Sequence, residues 1–290
     1  MSNSRKPMAW RAIECVTSTQ EQNRTVRQLQ ETPTSGQTKS SGVADRPGAF
    51  LPLANRHWVW QLYHLLIADV VALQRPTKYK FVYEFLGRDL GRTADIGCGP
   101  GVFIRYLCRN ANFVFAADVD RASLSRTFAR HTREKNLAPL VMRVNQLPFR
   151  DASLDTVLFL EVLEHLADDA GALREIARIL RPGGKLVLSV PVPPGEIDAD
   201  EFGHKREGYT RADLLQLMEA GGFKVQRSAF AQFKFCRLAD HIIRSWRKML
   251  HIPAPFFIGW ISYLDLLLDP ERRQQGDFSP LDIVVLAEKV

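Results

Sequence analysis

Three glycines alternating with other residues at the end of an apolar run, Ala94-Asp95-Ile96-Gly97-Cys98-Gly99-Pro100-Gly101-Val102-Phe103, constrain this chain more than any other stretch. The pattern predicts a strand that ends at an acid and turns sharply into a helix. Glycine lacks a Cβ, so it takes positive φ and lets a ligand lie against the backbone; Gly97, Gly99 and Gly101 together suit such a turn. A dinucleotide fingerprint, G-x-G-x-x-G, would place its third glycine where Val102 stands. Asp95, two residues ahead of the turn, would repel a pyrophosphate there. It would attract a nucleoside cofactor that carries an ammonium group and a sulfonium.

The parts that follow come in a definite order. Phe113–Asp118 reads as a second strand ending in an acid about twenty residues after the first glycine, where an α/β nucleotide fold sets a carboxylate on the ribose hydroxyls. Asp118 is the expected ribose ligand, with Val119 beside it; Asp120 competes for that role but stands where it would cap a helix beginning near Arg121. Next come Asn145-Gln146-Leu147-Pro148-Phe149 and Leu154-Asp155-Thr156-Val157, a loop leading into a strand. The strand ends in Leu158-Phe159-Leu160-Glu161-Val162-Leu163-Glu164-His165. A helix over Asp168 to Leu180 shows Leu173, Ile176, Ala177 and Leu180 on one stripe, capped by Asp168 or Asp169 and ended by Arg181-Pro182-Gly183-Gly184. Lys185–Val190 is a continuous apolar run, as a buried parallel strand should be.

From about Thr93 to Val225 this succession resembles the class I S-adenosylmethionine-dependent methyltransferases, in particular the small-molecule group of ubiquinone and menaquinone biosynthesis. The resemblance implies an α/β fold: a Rossmann-like, seven-stranded, mostly parallel sheet with helices on both faces, a final antiparallel strand, and here a helical insertion between strands 6 and 7. It implies S-adenosyl-L-methionine as cofactor, held by Asp95, Gly97, Cys98, Gly99, Gly101, Asp118, Val119, Asn145, Gln146, Leu147 and Glu161. Two departures stand out. Leu154 replaces the usual Phe before Asp155, and Arg143 occupies the place of an acid that contacts the adenine amino group, a contact left to Asn145 or to the backbone near Val144.

The same resemblance bears on the chemistry. Glu161, Glu164 and His165 form an E-x-x-E-H set, similar to that of ubiquinone-pathway O-methyltransferases and small-RNA 2′-O-methyltransferases, which a later histidine, here His204, completes around a divalent cation. Two carboxylates and two imidazoles make a mixed O/N shell for Mg²⁺, Mn²⁺ or Zn²⁺. Many relatives carry the same pair with no metal, and there the His faces the substrate. His165, His204 and Tyr209 are the expected catalytic groups in either case, and Arg206 can hold an anionic part of the substrate.

Length and composition set the frame. The 290 residues divide into an expected disordered tail (1–47), a helical cap (48–90), the core (91–229), the insertion (230–278) and the final strand (279–290). The cap is read from helical spacing over Trp58 to Leu73 and Lys78 to Leu86. Cys15, Cys98, Cys108 and Cys236 form no C-x-x-C pair, which argues for neither a disulfide framework nor a zinc site and suits a reducing, cytoplasmic setting. The tail lacks the apolar core of a signal peptide, and Glu14, Glu21 and Glu31 argue against a transit peptide.

The insertion sets Arg237, His241, Arg244 and Lys248 on one helical face and Leu238, Ile242 and Met249 on another. After it, Ile252–Leu264 carries no charged side chain over 13 residues, too short to span a bilayer. It reads as a lid over an apolar pocket, a dimer contact, or a peripheral membrane contact through 237–268, and the oligomeric state stays open. The first functional reading is methyl transfer to an oxygen of a small-molecule or lipid-like acceptor. The second is metal-assisted RNA 2′-O-methylation, which the net charge of +7 fits but which lacks any RNA-binding module or dense basic run in the core. A non-catalytic cofactor-binding role is the third, and no DNA partner is expected.

Overall fold

The computed structural model describes residues 75–193, 204–250, 256–268, 270–275 and 278–290, without the side chains of 247 and 256–259. The expected tail over 1–47 and the first cap helix, with Trp58, Trp60 and Tyr63, lie outside the described residues. Helix α1 (Pro76–Leu86) starts at Arg75-Pro76, where proline is tolerated because the first helical amide has no partner. Then follow β1 (Arg92–Ile96), α2 (Ile104–Asn110), β2 (Phe113–Asp118), α3 (Arg121–Arg130), β3 (Leu137–Val141) and β4 (Leu154–Leu160). A short 3-10 turn (Leu163–His165) leads to α4 (Asp169–Ile179), β5 (Leu180–Pro191), α5 (Arg211–Ala220) and β6 (Phe223–Ala231). The insertion comprises α6 (Lys234–Leu250), a 3-10 helix (Phe256–Leu267) and α7 (Pro270–Gln274), and β7 (Asp282–Lys289) returns to the sheet.

The sheet order is β3-β2-β1-β4-β5-β7-β6, parallel from β3 to β5, with β7 antiparallel to both neighbours. This is the Rossmann-like arrangement expected. The side-chain period of two explains the helices on both faces. Phe113, Phe115 and Ala117 belong to one buried cluster that also takes in Leu173 and Ile176 of α4 and Leu214 and Met218 of α5. The alternate residues Val114 and Ala116 belong to a second cluster with Val82 and Leu86 of α1 and Ile104 and Leu107 of α2.

Two readings sharpen. Asp120 caps α3, its carboxylate accepting from the amides of Ala122 (2.9 Å) and Ser123 (3.2 Å), which leaves Asp118 alone at the end of β2. Asp168 rather than Asp169 caps α4. The segment Arg181–Gly184, expected to end that helix, instead lies within β5. Leu180 pairs with Leu154, and the register then shifts so that Thr156 meets Lys185, the extra residues looping out around Gly183 at φ 71°.

The insertion folds back on its own root. Asp265 accepts from the amides of Phe233 (2.8 Å), Phe235 (3.0 Å) and Cys236 (3.1 Å), capping α6 from some thirty residues downstream. Among the described residues no helix is long and apolar enough to cross a membrane.

Asp155 ties the near end of the sheet together. It accepts from the Arg92 amide at 2.8 Å and from Arg181 Nε at 2.7 Å. Burial works against its charge, but these donors outweigh burial and hold the carboxyl below its ordinary range. Such a group stabilises the fold fully above the ordinary carboxylate pKa and loses that contribution as the pH falls through its lowered value. Asp155→Ala should therefore cost about 1–3 kcal/mol in urea unfolding at neutral pH. The gap to the parent protein should shrink at about pH 3.

Candidate active site

The order of strands sets the site. The chain runs outward from β1 through β2 to β3 and then returns to β4 on the other side of β1, so a crevice opens beyond the C-terminal ends of β1 and β4. Parallel pairing brings Asp95 level with Ala116 and Leu158, and so puts the ends of β1, β2 and β4 at one edge.

The glycine turn forms the rim. Gly97 sits at φ 77°, and a side chain there would strike Val162 of the loop after β4, so the two loops bordering the crevice touch only because this residue has no Cβ. The turn spends its amides inside the protein. Gly97 and Cys98 donate to Ala117 O at 2.8 and 3.0 Å, Gly101 donates to Cys98 O at 2.8 Å, and Gly99 donates to Asp118 Oδ2 at 2.8 Å. A dinucleotide site needs such amides free to face a pyrophosphate. Here those four are already bonded.

Two carboxylates face the turn. Asp95 is 5 % exposed, and burial, then the neighbouring Asp118, push its carboxyl up to about 7. Among the described residues none donates a hydrogen bond to it. Asp118 also accepts from the Asp120 amide at 2.8 Å, so both of its oxygens are oriented by the backbone. Cys98 is buried, and burial drives its thiol well above the ordinary value, which removes it as a nucleophile. Val119, Asn145 and Gln146 are exposed. Leu147 is buried, and its amide donates to Glu175 Oε1 at 2.9 Å, so of the three loop residues it has the least left to offer a ligand.

Glu161 follows β4 at φ 54°, a conformation unusual for a residue with a side chain. It is held by Lys78 of α1, whose Nζ lies 2.7 Å from its Oε1, and by Ser189, whose hydroxyl donates to it at 2.8 Å. Lys78 is 3 % exposed and also faces Asp282 at 3.5 Å, at the start of β7. Burial opposes charge on both acids. Lys78 nonetheless keeps Glu161 below the ordinary range, while Asp282, the more distant, is pushed up to about 7. Nothing in the spacing of the sequence singles out Lys78, because its role arises from packing α1 across the sheet ends.

Glu164, His165 and His204 come together: one donor atom from each lies within 4.8 Å of the others. The reason is local. The amides of Lys205 and Arg206 donate to Glu164 O at 2.8 and 3.3 Å, pinning the His204 segment over the turn, and the two imidazoles meet edge to face at 4.4 Å. Glu164 is 1 % exposed, its Oε2 has no hydrogen-bond partner, and burial, then Glu161, push its carboxyl up to about 8. His204 is held below the ordinary histidine value by burial and by His165.

Two of the expected site residues are engaged elsewhere. Glu161 is not part of the cluster that could hold a cation, because Lys78 and Ser189 occupy it. Tyr209 is 5 % exposed and donates to Asp169 Oδ2 at 3.0 Å, and burial raises its phenol, so its hydroxyl is engaged within the protein. Arg206 pairs with the same Asp169 at 3.1 Å.

Comparison with known proteins agrees with this geometry. Residues 94–188 match the Methyltransferase domain family. A probable S-adenosylmethionine-dependent methyltransferase of Mycolicibacterium smegmatis is 35% identical over 51% of this chain and 59% of its own length. The chain thus spans well under two thirds of that relative. The 27-O-demethylrifamycin SV methyltransferase of Amycolatopsis mediterranei is 32% identical over 59% of this chain and 68% of its own length. The chain belongs to the S-adenosylmethionine-dependent methyltransferases. Another relative, the ubiquinone biosynthesis O-methyltransferase of Alkalilimnicola ehrlichii, is 30% identical over 61% of this methyltransferase and 72% of its own length.

The cofactor of the family fits the crevice on two observations. The position a Cβ would take on Gly99 meets no atom within 4 Å, leaving the backbone open to a ligand, and Asp95 offers a buried carboxylate to a cationic group. Asp95, the glycine turn and Asp118 are the residues that would hold it. When bound, S-adenosylmethionine supplies an electrophilic methyl group. Asp95 becomes charged only as the pH rises through about 7. Affinity for S-adenosylmethionine in equilibrium dialysis should therefore tighten about tenfold from about pH 6 to about pH 8, and the slope should vanish in Asp95→Asn.

Proposed function

We propose that the protein transfers the methyl group of S-adenosylmethionine to an oxygen of a small or lipid-like acceptor. The observation that carries this reading is the pair of imidazoles, His165 and His204, at 4.4 Å beside the end of β4. Transfer from a sulfonium is an in-line displacement whose rate comes largely from alignment, and an oxygen nucleophile gains further from a base that takes its proton. An imidazole at the crevice mouth meets that need. The names of the rifamycin and ubiquinone relatives support small-molecule acceptors over RNA.

The insertion supports an apolar acceptor. Its root lies against α1, the Gln232 amide donating to Thr77 Oγ1 at 2.8 Å, one residue from Lys78. Leu238, Trp260, Leu264 and Leu267 are exposed along it. We take it as a wall of the acceptor pocket rather than a membrane contact.

The test is transfer of radiolabelled methyl groups to a panel of phenols, alcohols and amines. His165→Ala and His204→Ala should each lower kcat about 10²-fold. Affinity for S-adenosylhomocysteine should stay near the parent value. Methylation confined to nitrogen or carbon acceptors would overturn the oxygen assignment.

A metal-assisted version is favoured by one observation, the buried Glu164 carboxylate, whose Oε2 has no hydrogen-bond partner and one oxygen of which lies within 4.8 Å of donor atoms of His165 and His204. In that version a divalent cation sits on these three residues and polarises the acceptor hydroxyl. Manganese binding, followed by electron paramagnetic resonance, should then be stoichiometric in the parent and lost in Glu164→Ala. Equal binding in both proteins would remove the metal from the proposal.

A further inference from the structure

A second cavity, of about 700 Å³, lies against the glycine turn, and neither Asp95, Asp118, His165 nor His204 lines it. Its walls are the turn itself at Pro100–Val102, the outer face of α2, Tyr83 of α1, and the segment that follows α3. Four arginines line it: Arg105 and Arg109, one turn apart on α2, and Arg130 and Arg133 opposite. A single carboxylate, Glu134, stands against them.

Several surface arginines are paired with acids. Arg178, Arg181, Arg206 and Arg227 each meet a carboxylate. Among the described residues Arg105, Arg109 and Arg133 form no ion pair, and Arg130 donates only to a carbonyl, Pro100 O, at 3.2 Å. Residues four apart on a helix lie about 6 Å from each other, a separation that lets two guanidinium groups grip adjacent phosphates. The floor is rigid. Tyr106 donates to Gly87 O at 2.6 Å, and its ring packs against Tyr83 at 4.8 Å. A cavity of this size suits a small molecule rather than a water cluster.

We propose that this cavity binds a di- or triphosphate group, free or carried by a nucleoside. The site is distinct from the crevice that would hold the cofactor but shares a wall with it. Arg130 reaches Pro100 O, and Thr127 of the same helix donates to Gly99 O at 2.9 Å, so an anion drawn to Arg130 bears on the turn from behind.

The probes are pyrophosphate, tripolyphosphate and ATP, titrated calorimetrically into the full chain. Saturating S-adenosylhomocysteine keeps the adenosine moiety of ATP out of the crevice. The parent protein should bind tripolyphosphate, and Arg105→Ala/Arg109→Ala should bind it at least about tenfold more weakly. Arg174→Ala, an exposed arginine on α4, should match the parent. Unchanged circular dichroism and thermal melting would show that the double variant is folded. ATP binding tighter than tripolyphosphate would assign the ligand to the nucleotides, and equal affinity would assign it to free polyphosphate. No binding by the parent, or the same loss in Arg174→Ala as in the double variant, would overturn the proposal.

Discussion

One buried cation holds this site together. Lys78 reaches from α1 across the ends of the strands to Glu161 at 2.7 Å and Asp282 at 3.5 Å, joining the first described helix, the loop after β4 and the start of β7. The edge it serves is crowded with acids, among them Asp95, Asp118, Glu164 and the two it touches. Burying a carboxylate without a partner costs several kcal/mol, so most of these groups respond by holding a proton more tightly. Asp95, Asp282 and Glu164 all rise, whereas Glu161, nearest the ammonium, falls. Lys78 thus decides which acid stays charged, and it fixes Glu161 in a backbone conformation that would otherwise be costly.

Periodicity and turn chemistry made the core legible. The glycine turn, the acid ending β2, the cap at Asp120 and the apolar runs of β4 and β5 are local patterns, and each local preference agrees with the fold it serves. What escaped the sequence is set by contacts between distant segments. Lys78 lies 83 residues before Glu161, and Asp265 caps α6 from far downstream. Tyr209 illustrates the same limit from the other side. Its neighbourhood in the sequence suggests a substrate-facing phenol, but packing turns it inward to Asp169, where it helps hold the segment that delivers His204.

Chemistry and support are divided along the chain. The residues that face the crevice come from the segments after β1, β2, β3, β4 and β5, and several are backed by a bond to something rigid: Gly99 to Asp118, Leu147 to Glu175, the His204 segment to the Glu164 carbonyl. Glu175 is itself held by Arg178, which also donates to Phe149 O at 2.8 Å and Leu147 O at 3.0 Å, stitching the loop before β4 to α4. On the function proposed above, the acceptor side falls to the insertion. Changes there can alter what enters without disturbing how the methyl donor is held.

The sheet order carries a consequence for biosynthesis. β7 slots between β5 and β6, so both remain open-edged while the ribosome is still making the insertion that separates β6 from β7. An open edge is a template for pairing with another chain. Joining β6 to β7 through an excursion of about fifty residues instead of a tight hairpin also raises the entropy of closure, by about 2 kcal/mol. The nascent chain is therefore exposed to mispairing while the insertion is being made, before the strand beginning at Asp282 can bring a partner to Lys78.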